Sequence, residues 1–339
     1  MRTRKKDFTQ EQRVRQIAWR EENISTIEWG VQNGGQYEHI IPKTNWEETL
    51  WVGIRSTLPI YLKKKKVKEH TGVHNLMSSW VLAANLYFPI RENKVFKELM
   101  LQFLRTKISN DITELCQVEL EFAFPEGDQL HPSPLLGEKD GNRGSGQTSP
   151  DVAFLVKTTK GDGLILTECK FSEHSFYSCS ARRTEDKGKR KGNPNPKQCL
   201  KATTEVPHWE NCHQAVWGRM YWNHLKLSEQ GIRTFNRCPA ATTGYQLFRQ
   251  QSLAEGIKQS NRFDLVASTV AFDGNNEILK HSLKATGVND FQTDWASLFE
   301  GEAIFTTWTH QEWVQFVREH QTTPLQADWV KYMEERYGY

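Results

Sequence analysis

Three side chains whose types suit metal-assisted hydrolysis, Asp151, Glu168 and Lys170, lie within the stretch SPDVAFLVKTTKGDGLILTECKF, residues 149–171. Carboxylate oxygens are hard ligands for Mg²⁺, and a bound Mg²⁺ neutralises charge on a phosphodiester and makes hydroxide available at neutral pH. An ammonium group beside such an ion is placed to activate water. These residue types predict a hydrolytic metal site if the fold brings them together.

The elements that must position these side chains are predicted to form an antiparallel hairpin. Two short apolar runs, Val152–Val156 and Leu164–Leu166, flank a glycine-containing turn, which is typical of paired strands. Asp151 opens the first strand, whereas Glu168 and Lys170 close the second. Because the chain reverses between them, all three are expected at the same end of the hairpin. Side chains two apart on a strand share a face, so Glu168 and Lys170 should project together.

Pro150-Asp151, a gap of 16 residues and then Glu168-Cys169-Lys170 resemble the PD-(D/E)XK signature of restriction-endonuclease-like nucleases. The resemblance implies that Asp151 and Glu168 hold Mg²⁺ together with the carbonyl of Cys169, and that Lys170 positions or deprotonates the attacking water. Cys169 departs from the usual apolar residue at the middle position, but a small thiol is compatible with a core-facing side chain. The alternative is an ordinary hairpin whose polar ends are merely solvated.

Two further predicted elements supply candidates for the same site. Cys116–Phe124 alternates apolar and polar residues, which predicts a half-buried strand. The resemblance implies an added acidic metal ligand from a neighbouring element, and Glu121 is the first candidate, with Glu119 second. On the predicted helix Gly244–Ile257, Gln246 and Gln250 lie one turn apart and are expected to orient a substrate phosphate or the attacking water. Solvent-exposed polar positions remain the alternative for all of these residues.

A basic segment follows the proposed site. Between Arg182 and Lys201 there are eight Lys or Arg residues and only two acids, which favours an electrostatic track for DNA phosphates. A disordered basic loop is the alternative. The residues expected to contact nucleic acid are Arg182, Arg183, Lys189, Arg190 and Lys191.

Four of the six cysteines fall within the same part of the chain. Four thiolates can bind a structural zinc ion or an iron–sulfur cluster, although the spacing lacks the C-x₂-C pairs typical of such sites. Buried free thiols are the alternative. The resemblance implies a branch of the superfamily with a cysteine-bearing insertion after the E-x-K motif. The four candidate ligands are Cys179, Cys199, Cys212 and Cys238.

Composition bounds the class of protein. Charged residues make up 25% of the 339 residues and hydrophobic ones 37%, which fits a soluble globular chain long enough for a large core. No run of 18 apolar residues exists, so a membrane span is not expected. The start of the chain is basic without an apolar segment, so a secretory signal is not expected and the cytoplasm is the expected location. Thiols stay reduced there.

The predicted elements resemble the α-β-β-β-α-β core of these nucleases, so the fold class is α/β with a mixed central sheet and helical additions at both ends. Amphipathic helices are expected at Asn75–Tyr87 and Lys94–Lys107, separated at Pro89, and a central strand at Asp264–Phe272. The expected domains are an N-terminal helical region, 1–110, packing on a nuclease core, 111–339. A cysteine-rich basic insertion is expected at about 172–240.

The resemblance implies a Mg²⁺-dependent deoxyribonuclease in restriction or antiviral (phage) defence, with DNA as partner. A homodimer or further defence-system subunits are both open. Three alternatives stay open: a catalytically inactive nucleic-acid-binding protein on a nuclease scaffold, a DNA-repair exonuclease, and a metal-stabilised structural or adaptor protein.

Overall fold

The computed structural model of the protein describes residues 7–139 and 141–339. Its α-helices, in chain order, are α1 Phe8–Asn23, α2 Val52–Arg55, α3 Leu58–Lys64, α4 Ser79–Glu92, α5 Lys94–Lys107, α6 Pro132–Leu136, α7 His208–Asn211, α8 His213–Val216, α9 Tyr221–His224, α10 Glu229–Thr234, α11 Tyr245–Gln259, α12 Glu277–Lys280, α13 Phe291–Asp294, α14 His310–His320 and α15 Pro324–Tyr337. Short 3-10 helices occur at Lys43–Thr49, Ser180–Arg182, Pro196–Leu200, Lys284–Thr286 and Trp295–Leu298. The strands are β1 Gly30–Gln32, β2 Gly35–Tyr37, β3 Ile112–Leu120, β4 Val152–Thr158, β5 Asp162–Lys170, β6 Lys226–Leu227, β7 Leu265–Phe272, β8 Phe299–Glu300 and β9 Ile304–Thr309.

A five-stranded mixed sheet in the order β3-β4-β5-β7-β9 forms the centre of the molecule. β3, β4 and β5 are antiparallel neighbours, and β7 and β9 continue the sheet in parallel with β5. The predicted hairpin is therefore confirmed as β4–β5, and the predicted α/β class with a mixed sheet is also confirmed. Val152 pairs with Thr167, so Asp151, one residue before, lies beside Glu168, one residue after.

Two hydrophobic clusters cover the two faces of this sheet. Phe154 and Ile165 belong to the cluster formed with α4, α5, α14 and α15. Ala153 and Leu164 belong to the cluster formed with α11 and the segment between β5 and α11. Adjacent strand residues thus enter opposite cores, as the twofold alternation of a strand requires. Burial on both faces fixes the register of the hairpin, because a one-residue slip would exchange the two sets.

The break between the two predicted N-terminal helices is not at Pro89, contrary to the sequence-based expectation. Pro89 lies inside α4, and the break is at Asn93, whose side chain caps α5 by accepting from the Val95 N–H at 3.0 Å. A proline inside a helix leaves the carbonyl four residues earlier without its usual donor. Here that carbonyl, on Asn85, accepts a hydrogen bond from the Trp329 indole at 2.9 Å. The tertiary contact compensates for the lost helical bond.

The strand predicted at Cys116–Phe124 runs earlier, over Ile112–Leu120. It ends because Glu121 adopts a positive φ of 47°, a left-handed conformation that a strand does not accommodate. The outer edge of β3 is covered by basic side chains from the two preceding helices, which donate to its carbonyls. These bonds are Arg91 to Val118 at 2.5 Å, Lys97 to Cys116 at 2.9 Å and Arg105 to Ile112 at 2.6 Å.

The residues between β5 and α11 form a lobe of short helices, and part of it packs onto α11 in the second hydrophobic cluster. No helix within residues 7–139 and 141–339 has the length and apolar character needed to cross a membrane.

Candidate active site

Three carboxylates, two of them buried and that of Asp151 half-buried, line one cavity at the end of the central hairpin. Glu121, Asp151 and Glu168 share this cavity, of ≈160 Å³, with the loop 144–150 and the face of α11 that carries Gln250. Glu121 follows β3, Asp151 precedes β4 and Glu168 lies near the end of β5, so three neighbouring strands of the sheet each contribute one acid. Asp151 and Glu168 therefore meet at one end of the hairpin.

Asp151 is held by the adjacent strand. Its Oδ2 accepts the backbone N–H of Cys169 at 2.7 Å. Burial, together with the charge of Glu168, raises the pKa of Asp151 well above its ordinary value, although the Cys169 hydrogen bond works in the opposite direction. Crowding of like charges in a buried site has this effect because each carboxylate disfavours ionisation of its neighbour.

Glu121 and Glu119, the two candidates for the third acid, have different environments. Glu121 faces the cavity, where burial and the charges of Asp151 and Glu168 raise its pKa well above the ordinary value. Glu119 instead lies in a cluster of partners away from the cavity lining. Burial alone would raise the pKa of Glu119, but its partners outweigh burial and lower that pKa to about 2. Those partners are Lys65 at 2.9 Å, Arg91 and Arg143 at 3.1 Å each, and the Tyr61 hydroxyl at 2.7 Å.

Lys170 lies beside the acids but within the packed interior. Its Nζ donates to Glu168 Oε1 at 2.6 Å, and the residue is only 2% exposed. Burial by itself would lower the pKa of Lys170, but the charges of Glu168, Glu173 and Asp151 outweigh it and raise that pKa above its ordinary value. The side chain is therefore a protonated ammonium that reaches the cavity through Glu168.

Gln250 lines the cavity while its amide nitrogen connects two strands. The nitrogen donates to the carbonyls of Leu166 at 3.2 Å and Thr269 at 2.9 Å, and also approaches the Ser268 hydroxyl at 3.3 Å. Its Oε1 is buried without a partner within the described residues. Only the oxygen of this amide is therefore available to a ligand.

Sequence reasoning missed other residues that line the cavity, among them Arg249, Gln147 and His70. Arg249 follows Gln246 by three residues on α11, so a check of which residues share the Gln246–Gln250 face of this helix would have identified it. His70 carried no such signal, because it lies in an irregular segment far from the motif in sequence.

The four candidate cysteines converge in the lobe between β5 and α11. The backbone N–H of Cys238 donates to the Cys199 carbonyl at 3.0 Å, and Gln214 Nε2 approaches Cys179 Sγ at 3.1 Å. Burial raises the pKa of the Cys212 thiol to about 12, with further contributions from the Cys179 and Cys199 thiols. All four are free thiols, and metal binding by them stays a prediction that metal analysis of the purified protein would test.

The predicted nucleic-acid contacts divide into two kinds. Arg182 donates to the Ala241 carbonyl at 3.1 Å, so this side chain has a structural partner. The guanidinium groups of Arg183 and Arg190 both lie over the Trp217 ring, at 5.9 and 5.5 Å from its centroid. Lys189 and Lys191 are exposed, and Lys191 pairs with Asp186 at 2.8 Å.

The cavity is chemically suited to a divalent cation, although among residues 7–139 and 141–339 no three His, Cys, Asp or Glu side chains form a ready-made metal site. Mg²⁺ is commonly held by one or two carboxylates, with water and substrate phosphate completing its coordination. Asp151 and Glu168 supply hard oxygen donors. Burial and crowding of like charges raise the pKa values of Asp151 and Glu121, so a positive ion would relieve repulsion there. The donor set therefore fits the ion.

Comparison with known proteins gives the family of the chain. Residues 13–338 match the family described as "Restriction Endonuclease associating with ARP", and the chain belongs to that family. No curated protein and no solved structure matches the chain. The sequence-based expectation of a restriction-endonuclease-like family is confirmed at this level.

Proposed function

We propose that the protein is a divalent-metal-dependent nuclease that hydrolyses phosphodiester bonds of DNA in restriction, on a PD-(D/E)XK core. One observation carries the proposal: three acids at the ends of three neighbouring strands line one cavity, and the Lys170 ammonium donates a hydrogen bond to one of them. A structural ion pair would need only Glu168 and Lys170. It would not explain the two further carboxylates, Glu121 and Asp151, that line the same cavity.

The chain's own residues have separable roles in this reaction. Asp151 and Glu168 would hold Mg²⁺, with the Cys169 carbonyl and Glu121 as further ligands. The ion, when bound, supplies charge neutralisation and hydroxide at neutral pH. Lys170 donates to Glu168 in the present arrangement, and it would orient the attacking water and stabilise negative charge on the phosphorus centre. Its raised pKa keeps the amine protonated, which favours a positively charged hydrogen-bond donor over a general base.

The basic lobe supports DNA as the substrate class. Arg183 and Arg190 are held against Trp217, and Lys189 is exposed beside them, so three cations share one region of the surface. We propose that these side chains contact phosphates, whereas Arg182, bonded to Ala241, supports the lobe. Lys189→Ala and Arg190→Ala should each weaken DNA binding and reduce the slope of log affinity against log salt by about 1. An unchanged salt slope would contradict the assignment.

The catalytic assignment is tested with Asp151→Asn and Lys170→Met, measured by plasmid cleavage in Mg²⁺. Both variants should lose at least about 100-fold in rate, the scale for removing one group that stabilises the transition state. Lys157→Met is the matched control, because Lys157 is an exposed lysine at the far end of the same hairpin, paired with Asp162. Cleavage at the parental rate by either site variant, with the fold retained by circular dichroism, would overturn the proposal.

A further inference from the structure

Unpartnered polar atoms are concentrated in the same cavity as the three acids. Buried polar groups are normally hydrogen-bonded, so a group of unsatisfied ones needs a ligand or water to complete it. All the following atoms are buried and lack a partner within residues 7–139 and 141–339, and all belong to residues that line this cavity: Gln147 Nε2 and Oε1, Gln246 Oε1, Arg249 Nε and Gln250 Oε1.

Arg249 is the cationic member of this set, and its position is fixed by neighbours that leave its donors free. Its guanidinium carbon lies 4.8 Å from the centroid of the Tyr245 ring, one turn earlier on α11. Its nearest acid is Glu138, with Nη1 4.0 Å from Oε1. That distance is too long for a hydrogen bond, so Glu138 attracts the guanidinium without engaging its N–H groups.

The Glu138 carboxylate already accepts hydrogen bonds from other residues and does not bind Arg249 directly. Its carboxylate accepts the Tyr221 hydroxyl at 2.5 Å, the Thr148 hydroxyl at 2.8 Å and the Thr148 backbone N–H at 2.5 Å. The residue is 1% exposed. Glu138 therefore connects the loop before β4 to Tyr221 on α9, and it keeps a negative charge near Arg249.

A planar guanidinium matches the geometry of two phosphate oxygens, and its fork binds them in a bidentate manner. The cavity already carries three acids that would repel a phosphodiester, and a second cation besides Lys170 would offset this repulsion. Gln246, Arg249 and Gln250 lie at helical positions i, i+3 and i+4, so one face of α11 presents all three.

We propose that Arg249 binds the non-bridging oxygens of the scissile phosphodiester and positions it against the acids. This inference rests on the proposed nuclease function and adds a residue outside the acid–lysine motif. The proposed role of Arg249 differs from a structural role in one respect. The guanidinium contacts substrate in the reaction, so its loss changes the rate of the chemical step more than the stability of the fold.

The test compares the parent with Arg249→Ala and Arg249→Lys in single-turnover cleavage with Mg²⁺, and in DNA binding with Ca²⁺ as a probe ion. Arg249→Ala should slow cleavage by about 100-fold or more while DNA affinity falls about 10-fold or less. Arg249→Lys should recover part of the rate, because it restores the charge but not the fork. Arg262→Ala is the matched control, since Arg262 also lies over an aromatic ring, Phe124, and pairs with an acid, but does not line the cavity.

A phosphorothioate at the mapped cleavage position gives a readout that a structural role would not move. Replacing the contacted oxygen by sulfur should slow the parent markedly and Arg249→Ala much less. Parental cleavage by folded Arg249→Ala, or an equal sulfur effect in both proteins, would overturn the role of Arg249 alone. If Arg249→Ala unfolds, a folded Arg249→Lys that cleaves at the parental rate overturns it equally. A parent that cleaves no DNA overturns the proposed function and this role with it.

Discussion

Glu121→Gln is expected to stabilise the fold at neutral pH in the presence of a chelator. Burial and the charges of Asp151 and Glu168 raise the pKa of Glu121 above its ordinary value. The folded state therefore binds the proton more tightly than the unfolded state. Stability then falls as pH rises from the unfolded pKa, about 4.3, through the folded pKa. Glutamine has nearly the same shape but no ionisation, so it removes this penalty.

The pH interval sets an upper limit on the gain. Each pH unit between about 4.3 and 7 contributes at most about 1.4 kcal/mol, so the gain at pH 7 is at most about 3.7 kcal/mol. We expect a gain of about 1–3 kcal/mol, below this limit and within the usual range for a single substitution. At roughly 2 °C per kcal/mol for a chain of this size, Tm should rise by about 2–6 °C.

Glu119→Gln, two residues earlier on the same strand, is the matched control with the opposite sign. The pKa of Glu119 is lowered to about 2, since its cationic partners outweigh burial. Its contribution to stability is present above about 4.3 and is lost as pH falls through about 2, so at pH 7 the carboxylate contributes about 3 kcal/mol. Glu119→Gln should therefore lower Tm by several degrees.

Thermal unfolding of the three proteins at pH 4 and pH 7 with EDTA, followed by Mg²⁺ titration at pH 7, tests this reasoning. The advantage of Glu121→Gln should shrink at pH 4, where the parental carboxyl is protonated. It should also shrink with Mg²⁺, because a cation relieves the repulsion in the parent. A lower Tm for Glu121→Gln than for the parent at pH 7 in EDTA would refute the argument, as would an identical difference at both pH values.

Three further predictions concern stability. Burial lowers the pKa of His310 to about 3, so stability falls as pH drops from about 6.5 towards 3. His310→Gln should reduce this acid sensitivity by up to about 5 kcal/mol, as measured by urea unfolding across that range. Gly137→Ala would place a Cβ 1.8 Å from the Gly218 carbonyl oxygen, whereas a Cβ at Gly218 meets nothing within 4 Å. Gly137→Ala should therefore lower the free energy of unfolding by several kcal/mol and Gly218→Ala by only about 1–2 kcal/mol, as compared by Tm. Arg336→Met should cost about 3–5 kcal/mol by urea unfolding, because it leaves three acceptors, on Gln16, Thr49 and Tyr332, without their buried donor. A loss below about 1 kcal/mol would contradict this explanation.

The central hairpin was predictable because its information is local. The strands β4 and β5 are short, apolar and joined by a glycine-containing turn, and their polar ends coincide with Asp151 and Glu168. Both faces of the sheet are buried, so the register that pairs these ends is the one that hydrophobic burial favours. The meeting of these two acids therefore follows from the sequence.

The sequence ranked Glu121 above Glu119 as the third acid. The physical difference between the two residues lies in their tertiary contacts. Strand alternation places both on one face, whereas the strand in fact ends between them. Glu119 is neutralised by Lys65, Arg91 and Arg143, which come from three segments distant in sequence. Pairings of this kind leave no periodic signal, and the same is true of the indole that accommodates Pro89 within α4.

The basic side chains that donate to the outer carbonyls of β3 have a consequence for self-association. A long outer strand with open carbonyls is a template on which a second molecule can add a strand, the first step of intermolecular sheet growth. Arg91, Lys97 and Arg105 occupy these acceptors and bring positive charge to the same edge. A second molecule that approaches β3 from this side would therefore meet positive charge and find these three carbonyls already hydrogen-bonded, which disfavours growth of the sheet along this edge.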